Sequence, residues 1–122
     1  MITSLSNPQI KQIRKLRDRK ERQESGLFAI EGLRIVTEAV QLNAKIDVII
    51  YAPELLSSEI GQQVVANETR HGGPLLEVSA EVFKSIALKD NPQGLAAVVR
   101  QEWHDLNEVN PGPGDLWVAL DA

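Results

Sequence analysis

At 122 residues the chain has the size of one domain, able to bury a two- or three-layer core without disulfide or metal support. It holds no cysteine, which excludes disulfides, thiolate nucleophiles and Cys-based zinc sites, and its apolar runs are far too short to span a bilayer. The net charge of −4 conceals an uneven distribution: residues 1–34 carry eight basic and four acidic side chains, whereas the remainder carries five and thirteen. Such asymmetry suits a polyanionic partner at the basic end.

Met1-Ile2-Thr3-Ser4 precedes a charged stretch and not an apolar signal core, which fits a cytoplasmic protein. Asn7 as N-cap and Pro8 at the first helical position then predict a helix from about Pro8 to Glu24. On it Ile10, Ile13 and Leu16 form one stripe. Lys11, Lys15, Arg19 and Arg22 lie opposite, with Arg14 at the edge. Gly26 suits a left-handed helix end. Leu27 to Ile30 reads as a buried strand turning through Glu31-Gly32 into a helix over 33–42, and Ile46 to Tyr51 as a second strand. A helix opened by Pro53 runs to about Thr69 and is broken at His71-Gly72-Gly73-Pro74. Leu75 to Val78 is a third strand, Ser79 caps a helix over 80–86, Asn91-Pro92-Gln93-Gly94 is a turn, and Leu95 to Arg100 is a fourth strand.

This alternation predicts a three-layer α/β/α sandwich around a central sheet. The polar segment 101–115, with Asn110-Pro111-Gly112-Pro113-Gly114, reads as a linker. Leu116 to Asp121 reads as the first strand of a further, truncated domain.

Chemistry-bearing patterns are few. His71 and His104 lack paired ligands and read as surface histidines, so no metal site is expected. No phosphate-cradling Gly-rich loop or nucleophile elbow occurs. Glu31 stands where ligand clefts of α/β sheets often lie, although it could simply cap the helix at Leu33. In the basic helix Arg14 with Asp18 and Asp18 with Arg22 are spaced for ion pairs. Seven basic residues against three acids between Lys11 and Glu24 nevertheless leave positive charge for phosphates. Aromatic content of 4% makes base stacking secondary, favouring contact through RNA shape and phosphate.

Ser4 to Pro8 with Lys11 and Leu16, Phe28-Ala29-Ile30-Glu31-Gly32, Asn91-Pro92-Gln93-Gly94 leading into Leu95 to Val99, and Leu116 to Asp121 occur in an order that resembles the N-terminal part of SpoU/TrmH-type RNA ribose 2′-O-methyltransferases of the SPOUT superfamily. The resemblance implies an N-terminal substrate-binding domain with a mixed central sheet, similar to the ribosomal-protein-like fold that recognises kink-turn RNA. It implies a C-terminal knotted domain that binds S-adenosylmethionine and forms a homodimer. Residues 1–100 would be the RNA-binding domain, 101–115 the linker, and 116–122 the start of the catalytic domain. The chain alone would bind structured RNA, rRNA in preference to tRNA, without cofactor or catalytic residues of its own, and would engage neither DNA nor membrane.

Carried across by position, the RNA-facing residues are Asn7, Lys11, Arg14, Lys15, Arg19 and Arg22 on the first helix and Glu31, Gly32 and Arg34 at the turn into the second. Gln93 and Gly94 join them. Two alternatives are a self-contained ribosomal-protein-like RNA binder and a protein-interaction module working through its acidic remainder and the Leu116 to Leu120 strand.

Overall fold

The computed structural model describes residues 1–101. The expected strand over 116–122, His104, and the linker beyond Gln101 lie outside the described residues.

The expected first helix is two helices: α1 (Pro8–Lys15) and α2 (Arg19–Ser25). The break follows from three side chains. Leu16 turns into the core, Asp18 takes an extended conformation and caps α2 by accepting from the Lys20 N–H at 3.0 Å, and Arg22 Nη1 donates to the Leu16 and Arg17 carbonyls, each at 2.8 Å. A short polar side chain that bonds its local backbone competes with a continuous helix. The Arg14–Asp18 and Asp18–Arg22 ion pairs therefore do not form: both guanidinium groups bind carbonyls, Arg14 that of Leu5. Gly26 ends α2 at φ 71°.

Next come β1 (Leu27–Glu31), α3 (Leu33–Gln41) and β2 (Ile46–Tyr51). The following helix, α4 (Glu59–His71), starts later than the Pro53 signal suggests. Residues 52–56 form a tight turn, with the Leu55 and Leu56 N–H groups both donating to Ala52 O at 3.0 Å, which carries Leu56 into the core. The chain continues through β3 (Leu75–Glu77), α5 (Ala80–Ile86) and β4 (Leu95–Arg100). Ser79 caps α5 by accepting from Val82 N–H at 3.2 Å.

The strands form one mixed sheet in the order β1-β4-β2-β3, with β4 antiparallel to both neighbours and β2 parallel to β3. Strand side chains alternate between two cores. Val48, Ile50, Ala96 and Val98 meet Ile10, Ile13 and Leu16 of the first helical segment and Val82 and Phe83 of α5. On the other face Ile49, Leu95, Ala97 and Val99 meet Val36 of α3 and Val64 of α4. The expected three layers are thus present. Since β1, β2 and β3 run one way and β4 the other, the carboxyl ends of three strands and the start of the fourth share one end of the sheet. Among the described residues no helix is long and apolar enough to cross a membrane.

Candidate nucleic-acid interface

At that shared end the Glu31-Gly32 and Gln93-Gly94 segments meet. Gly32 N–H donates to Leu95 O and Ala52 N–H to Gly94 O, both at 3.0 Å. Gly32, at φ 119°, gives α3 no side-chain cap of its own; Gln93 Oε1 supplies one from sixty positions downstream by accepting from Leu33 N–H at 3.0 Å. The capping role open to Glu31 thus belongs to Gln93. Glu31 instead accepts from Leu88 N–H through Oε1 at 2.7 Å, fixing the loop between α5 and β4, while its Oε2 is buried without a partner among the described residues. Gly94 is required by space as well as by its φ of 83°: a Cβ there would lie 2.8 Å from Leu56 N and 3.0 Å from Ala52 O.

The loop so fixed projects two side chains that sequence reading missed. Leu88 is 71% exposed. Lys89 reaches over Gly32, its Nζ 2.7 Å from where a Cβ on that glycine would stand, so the glycine makes room for an ammonium group. Arg34, at the start of α3, is 94% exposed and meets Glu38 at 3.4 Å, an ion pair of little strength in water.

The basic helices supply a second group. Lys11, Lys15 and Arg19 are exposed and have no polar partner among the described residues. Asn7, Arg14 and Arg22 are placed otherwise. Asn7 Oδ1 caps α1, accepting from Gln9 N–H at 2.9 Å and Ile10 N–H at 3.3 Å. The half-buried Arg14 and Arg22 hold the two ends of the α1 region through carbonyls. The outward stripe expected of one long helix is accordingly shorter and bent at Leu16–Asp18.

Arg17, absent from the expected set, joins the two groups. Its Nη2 donates to Ser85 O at 2.9 Å and Ala87 O at 3.1 Å, closing the carboxyl end of α5, and the next residue, Leu88, is held by Glu31. The cue lay in Leu16-Arg17-Asp18, where Asp18 could begin a new helix and free Arg17 to leave the helical register. Exposed cations beside a loop braced by hydrogen bonds to Arg17 and Glu31 form a surface suited to a phosphate backbone. Among the described residues no cluster of His, Asp or Glu could hold a metal ion.

The profile of the MRM3-like substrate-binding domain matches residues 7–97. The chain is similar to the crystal structure of an rRNA methyltransferase from Sinorhizobium meliloti, with 36% identity and a TM-score of 0.71 over 90% of this chain and 40% of that one. It is similar to an RNA 2′-O ribose methyltransferase with 37% identity and a TM-score of 0.75, over 92% of this chain and 42% of that one. The SpoU methyltransferase AviRb from Streptomyces viridochromogenes, solved with AdoMet, shares the fold at 20% identity, with a TM-score of 0.67 over 83% of this chain and 36% of that one. No curated protein matches. The chain spans about two fifths of the length of the first two structures.

Proposed function

The chain belongs to the family of MRM3-like substrate-binding domains, and we propose that it holds structured ribosomal RNA for ribose 2′-O-methylation by a C-terminal domain. The observation that carries this reading is the set of exposed cations on α1 and α2 that have no polar partner among the described residues, in a segment that Arg17 ties to the end of α5. Arg17 holds the end of α5, Glu31 holds the following Leu88 and Gln93 caps α3, so the loop carrying Lys89 is fixed to the same domain as Lys11, Lys15 and Arg19. Phosphate contacts along α1 and α2 would set register, and the rigid corner would read RNA shape. Residues 1–100 form the RNA-binding unit in this proposal, followed by a linker and a catalytic domain that dimerises and acts in the cytoplasm.

S-adenosylmethionine would supply the methyl group. Two cavities among the described residues, about 30 and 140 Å3, are too small for a nucleoside joined to a methionine, and no step of the transfer is assigned to this chain. Its residues bind and orient.

The test is a charge reversal that spares the fold. Replacing Lys11, Lys15 and Arg19 together by Glu should abolish binding of a structured rRNA fragment at low salt while leaving the circular dichroism and urea midpoint nearly unchanged. Retained affinity would sink the proposal. Arg22 is unsuited to this experiment, because its guanidinium closes the α1–α2 turn.

A further inference from the structure

On the sheet face covered by α1 and α2, a cavity of about 140 Å3 opens between the two helices and the beginnings of β1 and β2. It exists because the helix breaks. Had α1 continued straight through Asp18, Glu21 would not return to the same wall as Gln9 and Gln12. The cavity floor is apolar and includes the buried Leu16 and Val98, whereas its rim carries Gln9, Gln12, Lys15, Glu21 and Asp47. The Gln9 and Gln12 side-chain amides and the half-buried Glu21 carboxylate have no partner among the described residues. Asp47 is brought to the rim by a bulge: the β2–β4 register shifts between Ile46 and Val48, and Arg100 meets its carboxylate at 3.7 Å. Bulges that re-aim one side chain gather at binding sites.

We infer that this slot receives an unpaired guanine base of the bound RNA, an inference that rests on the RNA-binding reading above. An apolar floor with free polar groups around it suits a planar ring with a hydrogen-bonding edge. Glu21, at the rim and unpaired among the described residues, disfavours a phosphate within the slot, whereas Lys15 at the same rim and Lys11 on the same helix can hold the phosphate beside it, which leaves the slot to the base. A carboxylate is acceptor-only and has two oxygens. Guanine presents two parallel N–H donors on its Watson–Crick edge, matching that pair. Uracil offers one donor flanked by carbonyl oxygens, which the carboxylate repels. The free glutamine amides can donate to the guanine O6 and N7 acceptors.

The test titrates the full chain with 5′-GMP and 5′-UMP and follows backbone and side-chain amide resonances. GMP should shift the Gln9 and Gln12 side-chain signals at about tenfold lower concentration than UMP, the discrimination expected of one bidentate contact. Glu21→Gln should bring GMP down to the UMP level without unfolding the protein, because Glu21 has no internal partner to lose. Equal response to the two nucleotides, shifts confined to Lys11 and Arg19, or protection of the slot by residues 102–122 would each overturn the assignment. The two proposals fail separately: GMP recognition without RNA affinity removes the RNA reading and leaves a guanine site, whereas RNA affinity without base preference removes only the slot.

Discussion

Gly94 and Gly26 both have positive φ, yet they should respond differently to a methyl group. Around Gly26 nothing lies within 4 Å of a Cβ, so Gly26→Ala carries only the left-handed backbone penalty, about 1 kcal/mol. At Gly94 the same Cβ meets the backbone of the 52–56 turn, which cannot swing aside as a side chain can. Gly94→Ala should therefore cost more than about 2 kcal/mol in urea unfolding and also disturb the Gln93 cap on α3. Equal costs would show that the turn yields. Tyr51, the sole tyrosine, offers a check on the sheet end. Burial, helped by the nearby Glu77 carboxylate, raises its pKa above 10.0. The folded state thus keeps the phenol proton better than the unfolded chain does. Its contribution is complete below the unfolded pKa and is lost as pH rises through the folded value. Tyrosinate absorbance should accordingly appear at higher pH in the native protein than in urea.

The α1–α2 break shows how far an element can be read from its residues. Periodicity identified the buried face, Ile10, Ile13 and Leu16, and the start and stop signals Asn7-Pro8 and Gly26 all act as expected. What periodicity could not weigh was Asp18, because a mid-segment aspartate reads equally as an ion-pair partner and as a cap. Tertiary contacts decided it: Arg17 reaches α5, sixty-eight positions away, and Arg22 folds back on the turn. β2 was legible as a β-branched run, and β1, β3 and β4 as short apolar runs bounded by turn residues, because both cues are local in the sequence. The corner at Glu31 and Gln93 was legible as two motifs but not as one site, since the bond between Gln93 and Leu33 spans sixty residues. Asp18→Ala tests the break directly. It should lose the α2 cap and cost about 1 kcal/mol in urea unfolding. If α1 and α2 merge as a result, the amide signals of Arg17 and Arg22 will lose their present environment, and the slot above the sheet will close.

At the scale of the whole molecule the relevant quantity is where charge lies and not how much there is. The chain is acidic by four charges, so a binding mode governed by net charge would disfavour RNA. Lys11 lies on α1, over the core shared with α5, whereas Glu59 opens α4, which packs against the opposite face of the sheet. In physiological salt, fields from exposed charges decay over about 8 Å, so a contact formed on one face is largely screened from a change on the other. Lys11→Gln and Glu59→Gln change the net charge by one unit in opposite directions, which makes them a decisive pair. If phosphates seat on the α1–α2 face, Lys11→Gln should lower the slope of log affinity against log salt by about 0.7–0.9 and weaken all structured RNAs alike. Glu59→Gln should leave that slope unchanged. Were both substitutions to alter affinity by similar amounts in opposite directions, binding would be following the total charge, and the basic face would lose its standing as the site of contact.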